Sequence, residues 1–158
     1  MATDLYQWSP IARGENLPNL SRLPNRDSTD INLYIGRNDA QEVGKVSLKD
    51  GKLYDIWCHN GGKSDHGCVL VLSPTSDFQW KPFKSRDSLP ANAVCGGETA
   101  KDGKVYVGRD STGGVGKINL YSDGTIHNFW IGGHLRPRKE GEILVTFPVE
   151  QGRNPIAT

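Results

Sequence analysis

Apolar residues in this chain occur in short segments rich in β-branched and aromatic side chains, separated by glycine, proline, asparagine and aspartate. Eight such segments are, in order, NLYIGR, VGKVSL, KLYDIW, CVLVL, KVYVGR, VGKINL, TIHNFW and EILVTF. Their length and composition are typical of β-strands. No stretch between glycine or proline residues keeps apolar residues at helical spacing for three turns. The pattern therefore predicts an all-β fold with very little helix.

Two Asp-Gly pairs predict tight hairpins. KDGK at 49–52 and SDGT at 122–125 each place Asp-Gly between two predicted strands. This dipeptide is the strongest short-range hairpin signal, because both residues tolerate the backbone of a two-residue turn. The strands on either side are expected to pair in antiparallel fashion.

The chain contains an internal repeat. YQWSP at 6–10 returns as FQWKP at 78–82, an offset of 72 residues. The same offset relates LYIGRND to VYVGRDS and EVGKVSL to GVGKINL, and Trp57 matches Trp130 one residue later. Self-similarity at a fixed offset indicates duplicated structural units. We assign the copies to residues 6–72 and 78–147, followed by a C-terminal tail at 148–158.

The joint between the copies, SPTSD at 73–77, has turn chemistry but only five residues. So short a connection favours copies that pack together over copies that move independently on a linker. We expect one domain made of two tandem repeats of antiparallel strands with pseudo-twofold symmetry.

Residues that recur in both copies are interpreted first as structural. The aromatic pairs expected to supply core area are Trp8 and Trp80, Trp57 and Trp130, and Tyr34 and Tyr106, with sugar stacking as the alternative. Gly36, Gly108, Gly44 and Gly116 indicate bulges or close strand approach. Arg37 and Arg109 are expected to pin strands through ion pairs.

Charge and composition exclude several partners. Nineteen basic and eighteen acidic residues among 158 leave a net charge of +1, so no general field would hold nucleic acid or an anionic membrane. The basic stretches KPFKSR at 81–86 and RPRK at 136–139 are interpreted as solvated surface. No apolar run approaches a membrane span, so no membrane insertion is expected.

The expected location is the cytoplasm, or the outside of the cell by a route without a signal peptide. The N-terminal segment lacks a basic region followed by an apolar one. Three cysteines are an odd number for a disulfide framework and suit a reducing compartment.

The sequence gives little support for a metal site. Cys58, His59, His66 and Cys68 are good zinc ligands in one stretch, but the spacing is not that of a finger or ribbon, and the matching stretch of the second copy keeps only His134. We therefore expect no metal and interpret the four as ordinary polar groups of a loop.

The segment STGGVGK lacks the spacing of a phosphate-binding loop and is followed by a predicted strand where that loop requires a helix. Cys95 and one of the four histidines could form a catalytic pair, but the sequence does not show whether any of them lies near Cys95. No enzyme activity and no cofactor are expected.

The combined pattern resembles the DM-nine repeat family. In both copies a Trp is followed by Leu-Pro, a polar stretch, the motif [LV]Y[IV]GR, then VGK and a Gly-Gly turn. The resemblance covers residues 6–147 and implies tandem repeats in an all-β fold. It also implies a mannose-recognising lectin of innate recognition, often a homodimer, with mannose or mannosylated glycans as partners.

The resemblance also implies site residues. In such lectins an Asp seven residues before the aromatic of the YIGR strand and the Lys of the following Gly-Lys element contact sugar, which here are Asp27 and Lys45. The second copy has Thr99 and Lys117 at these positions, with Glu98 adjacent as a substitute acceptor. The first copy departs from the family at RLPNRD, which replaces a glycine-containing turn.

The chemistry of this residue pair suits a sugar. A carboxylate accepts hydrogen bonds and an ammonium donates them, so together they read two adjacent hydroxyl groups in one orientation. An ordinary surface pair is the alternative for Asp27 and Lys45. For the whole chain the alternative is a non-enzymatic interaction or regulatory module, for instance a partner of a pore-forming or vesicle-associated system.

Overall fold

The computed structural model describes residues 5–18, 34–111, 114–131 and 135–149. Within these ranges the chain forms strands and contains no helix, which confirms the all-β prediction. The strands are β1 (Tyr6–Ala12), β2 (Tyr34–Arg37), β3 (Val43–Lys49), β4 (Lys52–Cys58), β5 (Gly62–Ser64), β6 (His66–Leu72), β7 (Ser76–Lys84), β8 (Cys95–Thr99), β9 (Gly103–Arg109), β10 (Val115–Leu120), β11 (Ile126–Ile131) and β12 (Glu140–Pro148). No helix long and apolar enough to cross a membrane is found in this part of the chain.

Each repeat builds its own antiparallel sheet. The first sheet has the order β1-β6-β2-β3-β4-β5, and the second has the order β7-β12-β9-β10-β11, with β8 pairing β9. The five strands β1, β6, β2, β3 and β4 thus have the same neighbours as β7, β12, β9, β10 and β11. The predicted pairing of tandem repeats with pseudo-twofold symmetry is confirmed.

The register of the two sheets is equivalent residue by residue. Lys45 on β3 lies opposite Trp57 on β4, and Lys117 on β10 lies opposite Trp130 on β11. A β-bulge follows Ser47 in the first sheet, and the corresponding bulge follows Asn119 in the second. The repeats therefore present the same strand positions at the same places.

Both Asp-Gly hairpins form where the sequence predicts them. Asp50 and Gly51 have φ values of 55° and 78° and connect β3 to β4, as a turn with two left-handed residues requires. In the second hairpin Gly124 has φ 86°, and Asp123 accepts a hydrogen bond from the Thr125 hydroxyl at 2.7 Å.

Two strands outside the predicted set contain proline. Pro10 lies in β1 and Pro82 in β7. Each strand is at the edge of its sheet and pairs with one neighbour, so the missing amide hydrogen interrupts no ladder on the open side.

The main core lies between the two sheets. It is formed by Ile35, Val43, Leu70, Leu72, Phe78, Trp80, Val94, Val105, Val107, Val115 and Leu144, with Tyr6 and Trp8 packed against it. Both repeats contribute to this cluster, so neither can bury it alone. The expected core roles of Trp8, Trp80 and Tyr34 are confirmed.

The expected core role of Trp57 is wrong, because its side chain is 42% exposed. Its neighbours Ile56 and Cys58 are buried in the core of the first sheet. Successive residues of a strand face opposite sides, so Trp57 faces outward.

Polar contacts join the repeats beside the core. The Trp8 indole donates to the carbonyl oxygen of Cys95 at 3.1 Å, and Tyr6 Oη accepts from the Cys95 amide at 3.0 Å. Arg37 donates to the carbonyl oxygen of Gly96 at 2.8 Å, where an ion pair was expected. Arg109 forms the predicted ion pair, with Glu142 at 2.9 Å.

Candidate functional site

A cleft of about 240 Å³ lies where the first repeat meets the outward face of β10 and β11. His59 and Asn60, in the turn after β4, form one wall. The outward residues of β10 and β11 form the floor. The cleft therefore depends on both repeats.

Lys117 is the most enclosed polar group at this site. Its side chain is 1% exposed. Its ammonium donates to Asp102 Oδ2 at 2.5 Å, and Glu42 Oε1 lies 2.7 Å from the same nitrogen, off the hydrogen-bond direction. Glu42 belongs to the first repeat and Asp102 to the second. Two carboxylates share this one cation, so not all of their oxygens are used by it, and Asp102 lines the cleft.

Two asparagines extend this polar floor. Asn119 follows Lys117 by two residues on β10, so both side chains are on the same face of the strand. Asn119 Nδ2 donates to Asn128 Oδ1 at 3.1 Å across the strands. Asn119 Oδ1 is buried and receives no hydrogen bond from the described residues. Asn119 therefore lines the cleft as a residue, while its Oδ1 is itself shielded from solvent.

An aromatic wall closes one side of the cleft. The His59 ring stacks on Trp130 with centroids 4.2 Å apart and an interplanar angle of 17°. Burial lowers the pKa of His59, and the positive charge of Lys117 lowers it further. The neutral ring is favoured because desolvation and a nearby cation both disfavour an imidazolium.

Gly116 fixes the position of Trp130. A Cβ atom at Gly116 would collide with the Trp130 carbonyl oxygen, and Gly44 has the same relation to Trp57. Only glycine permits the two strands to approach so closely at these points. The Gly-Lys element of each repeat therefore places the lysine and the facing tryptophan together.

The sequence-predicted residues of the first repeat are only partly described. Asp27 lies outside the described residues. Lys45 is half-buried on β3, opposite Trp57. Ser47 and Asp55 form the next pair of the same two strands. These four positions, Lys45, Ser47, Asp55 and Trp57, correspond by register to Lys117, Asn119, Asn128 and Trp130.

In the second repeat the structure brings Lys117 to carboxylates that the sequence did not suggest. Among the described residues, Asp102 and Glu42 pair with it, whereas Glu98 is exposed on β8. Thr99 is buried, and its hydroxyl accepts from the Asp102 amide at 2.9 Å, which fixes the turn that carries Asp102.

Strand alternation from Lys117 would have indicated Asn119, since residues i and i+2 share a face. No sequence signal indicates Glu42, because its contact with Lys117 depends on how the two repeats pack.

Three of the four residues interpreted as loop groups lie on strands, Cys58 at the end of β4 and His66 and Cys68 on β6, so that interpretation is wrong for them. Cys58 is buried and its thiol donates to the Glu42 carbonyl oxygen at 3.1 Å; burial raises the pKa of Cys58 to about 12. His66 contacts Asp39 and Asp65 at 2.6 and 2.9 Å, and these hydrogen bonds raise its pKa. Across the described ranges, no three His, Cys, Asp or Glu residues are grouped so that they could hold a metal ion.

A larger cleft of about 670 Å³ lies along β7 and β12. Two ion pairs involve its lining: Arg138 lies 3.5 Å from Asp110, and Glu142 accepts from Arg109. The smaller cleft contains Lys117 of the Gly-Lys element, for which the sequence resemblance implies a sugar contact, so it is the better candidate site.

Comparison with known proteins agrees with the architecture. No curated protein sequence matches the chain. The family model of the DM9 repeat matches residues 27–129, which is more than half of the chain and includes both Gly-Lys elements. The chain belongs to the DM9 repeat family.

Proposed function

We propose that this protein is a carbohydrate-binding module that recognises mannose or mannose-containing glycans in the cleft beside Lys117. The observation that carries the proposal is the lining of the cleft, which brings Asp102, Asn119 and Asn128 together beside the stacked rings of His59 and Trp130. These side chains would offer hydrogen-bonding partners to the hydroxyl groups of a sugar.

The rest of the cleft matches the chemistry of a hexose. Each hydroxyl of a sugar both donates and accepts, and the cleft combines the carboxylate of Asp102 with the amides of Asn119 and Asn128. The stacked rings of His59 and Trp130 provide an aromatic wall for the apolar face of a sugar ring. Membership of the DM9 family supports the same reading.

In the first repeat, Asp27 and Lys45 remain the proposed sugar contacts. Lys45 lies on β3 opposite Trp57, in the strand position that Lys117 has in the cleft. Two sites in one chain would raise the avidity for a multivalent glycan surface about 10²- to 10⁴-fold where the spacing matches. Homodimer formation would add to this effect and is proposed on the family resemblance alone.

The direct test is calorimetric titration of mannose into the wild type and the Asn119→Ala variant. Removing one neutral hydrogen bond should weaken the cleft about 2- to 12-fold. Lys104→Ala, at an exposed residue of β9, is the control and should bind as the wild type does. Unchanged mannose affinity in a folded Asn119→Ala protein would remove the cleft assignment and favour an interaction module instead.

A further inference from the structure

The outward face of the first sheet carries a row of three side chains across three strands. Lys45 on β3 lies opposite Trp57 on β4, and Trp57 lies opposite Lys63 on β5. Residues directly opposite in a sheet share a face, so a lysine lies on each side of Trp57 in the row. Neighbouring strands are about 4.8 Å apart, so the row extends over about 10 Å.

Trp57 differs from its counterpart Trp130 in being open. Its side chain is 42% exposed, whereas the face of Trp130 is covered by the His59 ring. The residue two positions after Trp130, which corresponds in sequence to His59, is Gly132 and lies outside the described residues. Trp57 is therefore the more accessible of the two rings to a ligand.

A buried carboxylate adjoins the row. Asp55 is 5% exposed, and its carboxylate oxygens are not among the buried side-chain atoms of the described chain that lack a hydrogen-bond partner. It is two residues before Trp57 on β4, on the outward face, because Ile56 between them is in the core. A carboxylate accepts hydrogen bonds, so hydroxyl groups of a ligand on this face would find an acceptor at Asp55.

Lys63 supplies the complementary group. Its ammonium lies 5.2 Å from the Trp57 ring centroid, an aromatic contact that leaves its hydrogen-bond donors available. The Asp55 carboxylate can accept hydrogen bonds from a ligand, and the Lys63 ammonium nearby on the same face can donate them. This combination suits hydroxyl groups rather than a ligand with a net charge.

We infer that Trp57, Asp55 and Lys63 form an open subsite for a neutral glycan chain, in which a sugar residue stacks on Trp57 while its hydroxyls contact Asp55 and Lys63. The inference rests on the proposed glycan-binding function and adds a preference for length. The closed cleft at Trp130 accepts a single sugar residue, whereas the open row accepts neighbouring residues of a chain.

The test compares mannose with a linear mannotetraose by calorimetry on the full chain. The wild type should bind the tetraose more tightly than mannose at equal residue concentration. Trp57→Ala should reduce this preference about 2- to 12-fold, the size of an aromatic stacking contribution. Asp55→Asn should reduce it in the same direction.

Tyr54→Ala is the matched control. Tyr54 is also 42% exposed on β4, but it lies outside the row, and its ring contacts Arg13 and Lys49. Its removal should leave the preference for the tetraose unchanged.

The outcomes separate the two claims. If the wild type binds neither sugar, the proposed function fails and the subsite with it. If it binds mannose but shows no preference for the tetraose, or if Trp57→Ala and Tyr54→Ala have equal effects on that preference, the subsite alone is overturned.

Discussion

Lys117 and Glu42 belong to different repeats, yet their side chains meet at 2.7 Å in a position from which solvent is nearly excluded. Asp102 completes the cluster from the second repeat. Removing one member of a buried ion pair leaves an uncompensated charge, which is more damaging than the loss of the pair as a whole. This cluster therefore couples the stability of the repeat interface to the floor of the cleft.

We predict that Lys117→Met lowers the free energy of unfolding by about 3–5 kcal/mol, because both carboxylates remain buried without their cation. Denaturant unfolding followed by tryptophan fluorescence measures the change. Adding Glu42→Gln should recover part of the loss, whereas Glu42→Gln alone should destabilise the wild type. Additive effects of the two substitutions would show that the residues do not interact.

The sequence-derived site makes a separate prediction about binding. Asp27→Ala and Lys45→Ala should each lose about 1.5–3 kcal/mol of ligand interaction, which weakens a single site about tenfold to more than a hundredfold. Thermal midpoints should stay within a few degrees of the wild type, as is usual for substitutions outside the core. Mannose titration with parallel thermal unfolding tests both statements, and unchanged affinity in both variants would eliminate this site.

Gly116→Ala tests the close approach of β10 and β11. A Cβ atom there meets the Trp130 carbonyl oxygen, so the strands must separate, and we expect a loss of about 3 kcal/mol or more. Gly51→Ala is the control, because its turn position has φ 78° and open space around it. That substitution should cost about 1–2 kcal/mol from left-handed strain alone. Equal losses for the two variants would contradict the account.

We expect His59 and His66 to have opposite effects on how the stability of the protein changes with pH. The pKa of His59 is lowered in the folded protein, so the stability that its neutral ring contributes is present above about pH 6.5 and is lost as the pH falls through the lowered pKa. The pKa of His66 is raised by Asp65 and Asp39, so its contribution is present below about pH 6.5 and is lost as the pH rises through the raised pKa.

Thermal midpoints between pH 4 and 9 for the wild type, His59→Gln and His66→Gln measure these effects. Relative to the wild type, His59→Gln should gain at acidic pH and His66→Gln should lose there. The same pH dependence in all three proteins would contradict both assignments.

The repeat offset explains how much of the fold could be predicted from sequence. Because the two copies share spacing, the equivalence of Lys45 with Lys117 follows from the sequence, as does the matching of Trp57 with Trp130. Strand type and both Asp-Gly turns follow from local propensity.

What could not be predicted is the difference between the copies. The offset equates Trp57 with Trp130, but only three-dimensional packing shows that His59 covers Trp130 and leaves Trp57 open. Likewise, position 42 is Glu and its counterpart at position 114 is Gly, so the contact with Lys117 has no equivalent in the repeat pattern. Contacts between repeats arise from the segments in which the copies diverge.

Sugar binding at the outward lysine–tryptophan faces can be followed through the four tryptophan indole N–H signals in a ¹⁵N–¹H correlation spectrum during a mannose titration, with assignments from single Trp→Phe variants. We expect the signals of Trp130 and Trp57 to move in a saturable manner, while those of Trp8 and Trp80, packed at the core between the sheets, stay in place. Saturable shifts confined to Trp8 and Trp80, or no shifts at all, would contradict this expectation.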